Sequence, residues 1–134
     1  MKFSTKTTYG IRAMTSLART YRKGSLSLAT IAKEQNISLS YLERIFSSLK
    51  KAGLVKAEVG ASGGYTLSRC ARNITALEIV EALEGQVSPF KCIHKHGEVK
   101  CRAGKYCEVP KVLIKVQDAV VSTLSKINLS DLIK

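Results

Sequence analysis

Gly10, Ala13, Met14, Leu17, Ala18 and Tyr21 recur at steps of three and four, the spacing that gathers small and apolar side chains into one stripe of a helix. The pattern predicts a first helix over residues 7–22, ended by Lys23-Gly24-Ser25. Leu28, Ile31 and Ala32 continue it in a short second helix starting near Ser27, and Asn36-Ile37-Ser38-Leu39 interrupts it as a turn would. Leu42, Ile45, Phe46 and Leu49 form the core stripe of a third helix. Its start is expected at Ser40, because Ser40-Tyr41-Leu42-Glu43 has the S-x-x-E form in which hydroxyl and carboxylate satisfy each other's orphan amides. Gly53 is placed to stop it, and Ser40, Tyr41, Arg44, Ser47, Ser48 and Lys51 are left on or near the face away from the core.

From Leu54 to Leu67 the residues favour strands around a glycine-rich centre, Gly60-Ala61-Ser62-Gly63-Gly64, which predicts a hairpin. Thr75-Ala76-Leu77-Glu78 is a second capping box, with Ile74 and Ile79 able to staple the helix entry and Gly85 to close it. Periodicity then disappears between Gln86 and Pro110, where three cysteines, both histidines and many lysines collect. A structureless stretch this long usually carries a function. Pro110 suits the first turn of a last helix, whose apolar positions Leu113, Val116, Val120 and Ile127, with Val112, Ala119 and Thr123 alongside, need a partner surface.

Length adds that the 134 residues suit one domain, large enough to fold without disulfides or metal. Charge changes the picture more: 22 Lys and Arg against 10 Asp and Glu give a formal charge of +12, so polyanions are natural partners. No stretch approaches the length of a membrane span, and the N-terminus has no secretory apolar core, so a cytoplasmic protein is expected. Thiols there are reduced, and Cys70, Cys92, Cys101 and Cys107 read as ligands or redox groups rather than a disulfide framework. No paired acid and base, phosphate-cradling loop or oriented nucleophile points to an enzyme.

Helix, short helix, turn, capped polar helix and glycine-tipped hairpin, in that order, form a winged helix-turn-helix pattern. Such a fold sets the first turns of one helix against base edges in the major groove while the wing tracks the backbone or minor groove. Ser38, Ser40, Tyr41 and Arg44 stand where base and phosphate contacts are expected, and Lys50, Lys51 and Lys56 can neutralise phosphates.

The chain resembles the Rrf2 family of bacterial winged-helix regulators, which includes IscR, NsrR, RirA and CymR. The likeness rests on the opening run with Tyr9 and Ala13, on Ile37-Ser38-Leu39-Ser40-Tyr41-Leu42-Glu43 with Phe46-Ser47-Ser48-Leu49-Lys50-Lys51-Ala52-Gly53-Leu54-Val55, and on Gly60-Ala61-Ser62-Gly63-Gly64-Tyr65. It implies a homodimer that binds imperfectly palindromic promoter DNA, chiefly as a repressor. It also implies DNA contact by Ser38, Ser40, Tyr41, Glu43 and Arg44 and by the wing residues Gly60, Ser62, Gly63, Gly64 and Tyr65. Two positions depart from the IscR-like pattern: Val59 replaces an arginine before the first wing glycine, and Arg44 replaces a glutamine, which favours guanine over adenine edges.

The resemblance further implies that Cys92, Cys101 and Cys107 are the metal ligands of an iron–sulfur cluster, of the 2Fe-2S or 4Fe-4S type. Lys91, Lys95, Lys100, Arg102 and Lys105 around them favour ionised sulfur. The first gap, eight residues, is longer than in the IscR-like pattern, whereas the second, five, fits it. The IscR-like histidine ligand is here Pro110, and the acidic residue other members use near position eight is Thr8, so the fourth ligand is open among His94, His96, Glu108 and an external molecule. Idle cysteines and a zinc site remain alternatives. Cys70, outside this group, is expected to pack as a small hydrophobe.

The expected fold is mainly α, a winged helix-turn-helix with a C-terminal dimerisation helix. It divides into a DNA-binding domain (1–85), a cysteine-bearing sensor loop (86–109), and the dimerisation helix with its tail (110–134). The expected function is sequence-specific transcriptional regulation tuned by an iron–sulfur cluster that senses iron, redox state or nitric oxide, with operator DNA and a second copy as partners and no membrane. A cluster-free regulator governed by a partner protein and a metal-binding interaction protein are the alternatives.

Overall fold

The structure, a computed structural model, describes residues 3–60, 63–87 and 107–134. Of the predicted sensor loop, residues 88–106 lie outside the described residues, and so do Cys92 and Cys101. The elements run α1 (Thr5–Arg19), α2 (Leu28–Gln35), α3 (Leu39–Lys51), β1 (Val55–Glu58), β2 (Gly64–Leu67), a 3-10 turn (Ala71–Asn73), α4 (Ala76–Glu84), α5 (Val109–Lys126) and a closing 3-10 turn (Leu129–Ile133). The fold is therefore mainly helical, with one small sheet.

One core joins α1, α2, α3 and α4. Met14, Ile31, Leu42, Phe46, Leu49, Ile74 and Ile79 are fully buried in it, each contributing about 1.5–3 kcal/mol by leaving water. α1 starts earlier than its apolar stripe suggested, because Ser4 caps it by accepting from the Lys6 amide. It also ends earlier, at Arg19, as the Thr20 hydroxyl turns back on the Leu17 carbonyl at 3.2 Å. Gly10 lets α4 come close: a Cβ there would lie 2.1 Å from Leu83 Cδ1.

Asn36, left-handed at φ 53°, ends α2 and makes the turn toward α3. At the other end of α3, Gly53 at φ 75° closes a Schellman motif. The Leu54 amide donates to Leu49 O and the Gly53 amide to Lys50 O, both at 3.0 Å, and Leu49 and Leu54 are buried. The predicted box at Thr75 and Glu78 is present in full and starts α4.

β1 and β2 pair antiparallel, Val55 with Leu67 through Glu58 with Gly64. Leu26, just before α2, extends the sheet by exchanging two backbone hydrogen bonds with Tyr65, at 3.0 and 2.7 Å. That approach needs Gly64, where a Cβ would sit 2.3 Å from the Leu26 carbonyl oxygen.

α5 begins with Pro110 in its first turn, as its sequence suggests, but its expected stripe is split. Leu113 and Gln117 are buried, whereas Val109, Val112 and Val116 are 50%, 62% and 39% exposed. Gln117 Oε1 has no hydrogen-bond partner among the described residues. Ile127 does not extend the stripe: it is extended and ends the helix. The chain then returns to the winged domain, with the Ala76 amide donating to Ile127 O and the Leu129 amide to Ile74 O, each at 2.8 Å, and Leu129 fully buried. No helix among the described residues is long and apolar enough to cross a membrane.

Candidate nucleic-acid interface

The candidate reading surface is the face of α3 opposite its buried stripe. Ser40, Glu43, Arg44, Ser47, Lys50 and Lys51 are all exposed there. The helix start differs from the sequence expectation. Ser38, extended at φ −62° and ψ 140°, is the cap, and its hydroxyl accepts from the Tyr41 amide at 3.3 Å. Ser40 lies inside the first turn, so the S-x-x-E match at Ser40 and Glu43 is no capping box, and both side chains are left pointing away from the core. The deciding signal was available: Ile37 before Ser38 and Leu42 four residues after it are both buried, the pair a hydrophobic staple requires of a Ser38 cap.

Tyr41 stands at the edge of this face, half-buried. Its phenol lies 3.0 Å from Thr5 Oγ1, and its ring meets that of Tyr9 edge-on with centroids 5.6 Å apart. α1 thus buttresses the first turn of α3. The Arg12 guanidinium lies 5.8 Å from the Tyr9 ring centre and reaches the Gln35 carbonyl at 2.6 Å, tying α1 to the end of α2.

The wing residues divide. Tyr65 is half-buried, its ring tilted at 58° against Phe46 of α3 with centroids 4.9 Å apart, and its backbone is bridged to Leu26. Gly64 faces Leu26 backbone, so both residues anchor the wing base. Gly60, at φ 147°, and Gly63, whose amide donates to Gly60 O at 3.0 Å, form the wing turn. Val59 beside them is fully exposed, and Ser62 lies outside the described residues. Lys56 is exposed on β1.

Of the sulfur ligands expected, only Cys107 falls in the described residues, half-exposed just before α5. Glu108 beside it is ion-paired with Lys111. Pro110 is buried, and no group of three or more metal-ligating side chains occurs among the described residues. Cys70 is not the packed hydrophobe expected. It is half-exposed at the start of the 3-10 turn, and a hydrogen bond from the Arg72 amide, helped by the Arg72 and Arg22 charges, holds its thiol below the usual range.

A second cluster, unforeseen in the sequence, lies at the start of α1. Glu84 Oε1 accepts from the Ser4 amide at 2.8 Å, from the Thr7 hydroxyl at 2.7 Å and from the Ser4 hydroxyl. Partial burial pushes this carboxyl up, but the hydrogen bonds from Ser4 and Thr7 outweigh it and hold it below its ordinary value.

Comparison with known proteins gives this geometry a context. The family model described as Rrf2, an iron-dependent transcriptional regulator, matches residues 3–134. The chain belongs to the Rrf2 family. It is 36% identical over 134 residues to the transcriptional regulator IscR of Xenorhabdus nematophila, covering all of this chain and 80% of that one. Its fold matches the structure of CymR, titled the global cysteine regulator of B. subtilis, with TM-score 0.80 and 38% identity over 99% of this chain and 96% of the other. IscR of T. potens matches with TM-score 0.78 and 36% identity, over 98% and 85%. The chain is accordingly a winged-helix transcriptional regulator, and its named Rrf2 relatives are regulators rather than enzymes.

The cap assignment has a direct consequence. Ser38→Ala should lower unfolding stability by about 1 kcal/mol through loss of the α3 cap, while Ser40→Ala should change it by no more than a few tenths. Paired urea denaturation curves check this, and a larger loss for Ser40→Ala than for Ser38→Ala would return the cap to Ser40.

Proposed function

We propose that the chain is a dimeric, sequence-specific repressor that reads operator DNA with α3 and the wing and is tuned by an iron–sulfur cluster held by Cys92, Cys101 and Cys107. The observation carrying the DNA reading is the exposed polar and basic face of α3, fixed in direction by its buried stripe and by Ser38. In the major groove Arg44 makes a bidentate contact with a guanine edge, with Ser40 and Glu43 beside it. Ser38 and Tyr41, at the groove edge, and Lys50, Lys51 and Lys56 engage phosphates. The turn at Gly60 and Gly63 brings the wing along the neighbouring backbone, and Ser62, between them in sequence, is a further candidate contact. Gly64 and Tyr65 serve by holding the wing base to Leu26 and Phe46.

The exposed edge of α5, Val109, Val112 and Val116, is the surface a second copy would cover, setting two reading heads against two half-sites. The protein acts in the cytoplasm, where its thiols are reduced.

Three thiolates fit iron–sulfur ligation, and Cys107 is accessible beside α5 rather than sealed in the core. The iron dependence in the family's description and the kinship with IscR support the same reading. A cluster there would supply an iron- and redox-dependent tie among the three cysteines. Because those cysteines lie between α4 and α5 in sequence, such a tie changes how firmly the reading heads are held to the dimer helix and shifts the binding-competent population. Pro110 supplies no side-chain donor, so the fourth ligand comes from His94, His96, Glu108 or an external molecule. The likeness to CymR, a cysteine regulator by its title, favours a second reading: the same DNA-binding machine without a cluster.

Two experiments test this. Arg44→Ala should weaken binding to a selected operator by about 1–3 kcal/mol and relax preference at one base pair, whereas Lys51→Ala should weaken all sequences alike. Titrations on selected and random duplexes decide, and equal losses on both for Arg44→Ala would confine it to phosphate. In protein purified without oxygen, Cys92→Ala, Cys101→Ala and Cys107→Ala should each abolish visible absorbance, iron and sulfide together, and Cys70→Ala should preserve them. Wild-type protein that holds neither iron nor sulfide after reconstitution would leave the cluster-free reading standing.

A further inference from the structure

The start of α1 lacks what its sequence neighbourhood should supply. Ser4 is its cap, but the third helical position, where a capping box carries an acid, is Thr7, and the first turn holds no acidic residue. The missing carboxylate comes from another helix. Glu84, the last residue of α4, accepts the Ser4 amide as the acid of a capping box would, and adds the Ser4 and Thr7 hydroxyls. It also places negative charge at the positive end of the α1 dipole. Thr5, which follows Ser4, opens α1, and its hydroxyl lies 3.0 Å from the Tyr41 phenol. Either hydroxyl can donate in this pair, and when Thr5 does so the phenolic proton is left to meet a phosphate oxygen.

We propose that Glu84 is a positioning residue for DNA binding: by completing the α1 cap from α4 it holds Thr5 against Tyr41 and so orients the Tyr41 phenol at the groove edge. The proposal rests on the DNA-reading role of α3 given above. Glu84 touches no DNA. It acts through the first turn of α1, whose fraying would free the phenol to rotate. Close packing of Gly10 on Leu83 keeps the remainder of α1 and α4 in register, so loss of Glu84 loosens the first turn and leaves the core assembled. The arrangement also gives the end of α4, where the cysteine-bearing stretch begins in sequence, a polar route to the recognition helix.

The test is a double-mutant cycle on DNA affinity with the full chain. A tight-binding duplex is first selected from a randomised pool, and binding is measured for Glu84→Ala, Thr5→Val and Thr5→Ser, each alone and combined with Tyr41→Phe. Glu84→Ala and Thr5→Val should each raise Kd about three- to tenfold in the wild-type background and add nothing once the phenol is gone, with Thr5→Ser restoring wild-type affinity. A merely structural role would persist in the Tyr41→Phe background. Full additivity, or unchanged Kd for both variants, would overturn the proposal. Should Glu84→Ala fail to fold, Thr7→Val, which removes one donor to the Glu84 carboxylate, takes its place in the cycle with the same expected and overturning results. A pool from which no duplex is enriched would overturn the DNA-reading assignment itself and this proposal with it, and that failure is distinguishable because it appears before any variant is made.

Discussion

Everything exposed on α3 takes its direction from what the helix buries. Leu42, Ile45, Phe46 and Leu49 lie in the core shared with α1 and α4, and turning the helix enough to hide Arg44 would bring apolar side chains out at about 1.5–3 kcal/mol each. The same stripe reaches the wing, since Phe46 carries Tyr65 and the Schellman turn after Leu49 delivers the chain into β1. The recognition-helix candidate α3 and the hairpin are therefore two parts of one packed unit, and their spacing is set by the side chains buried between them.

Hydrogen bonds refine what packing fixes. The stripe sets the rotation of α3, whereas Ser38 sets its first residue, and with it where Ser40, Tyr41 and Glu43 fall in the first turns. Backbone contacts do similar work at the wing, where Leu26 grips Tyr65 because Gly64 presents no Cβ. The tail after α5 returns Leu129 to the core beneath Ile74. This fastens the far end of α5 to the winged domain, while Val109, Val112 and Val116 stay exposed along its edge.

The winged order of elements was legible because α1, α3 and α4 are strongly periodic and Thr75 with Glu78 forms an unambiguous box. The start of α3 was not, since Ser38 and Ser40 both begin plausible caps and the local S-x-x-E match favours the wrong one; the buried pair Ile37 and Leu42 resolves it. That Tyr65 packs against Phe46 and pairs with Leu26 was not legible, because no local pattern joins residues so far apart in sequence. In α5, Leu113 and Val112 look alike in a periodic pattern, and which faces inward depends on where α4 lies. Glu84 was invisible for a similar reason: its cap partner Ser4 stands at the opposite end of the winged domain's sequence, and no local motif joins them. Cys70 misled because thiols usually pack as hydrophobes, whereas here it is half-exposed at the start of the 3-10 turn.

Amide hydrogen exchange on the full chain, with and without an operator duplex, tests the central claim most directly. The first-turn amides of a helix have no intrahelical partner and exchange quickly in the free protein. DNA entering along α3 and the wing should slow exchange at Leu39 and Ser40, whose amides precede the capped Tyr41, leaving the exposed edge of α5 unchanged. Protection confined to α5, with the first turn of α3 as fast in the complex as without DNA, would contradict the account.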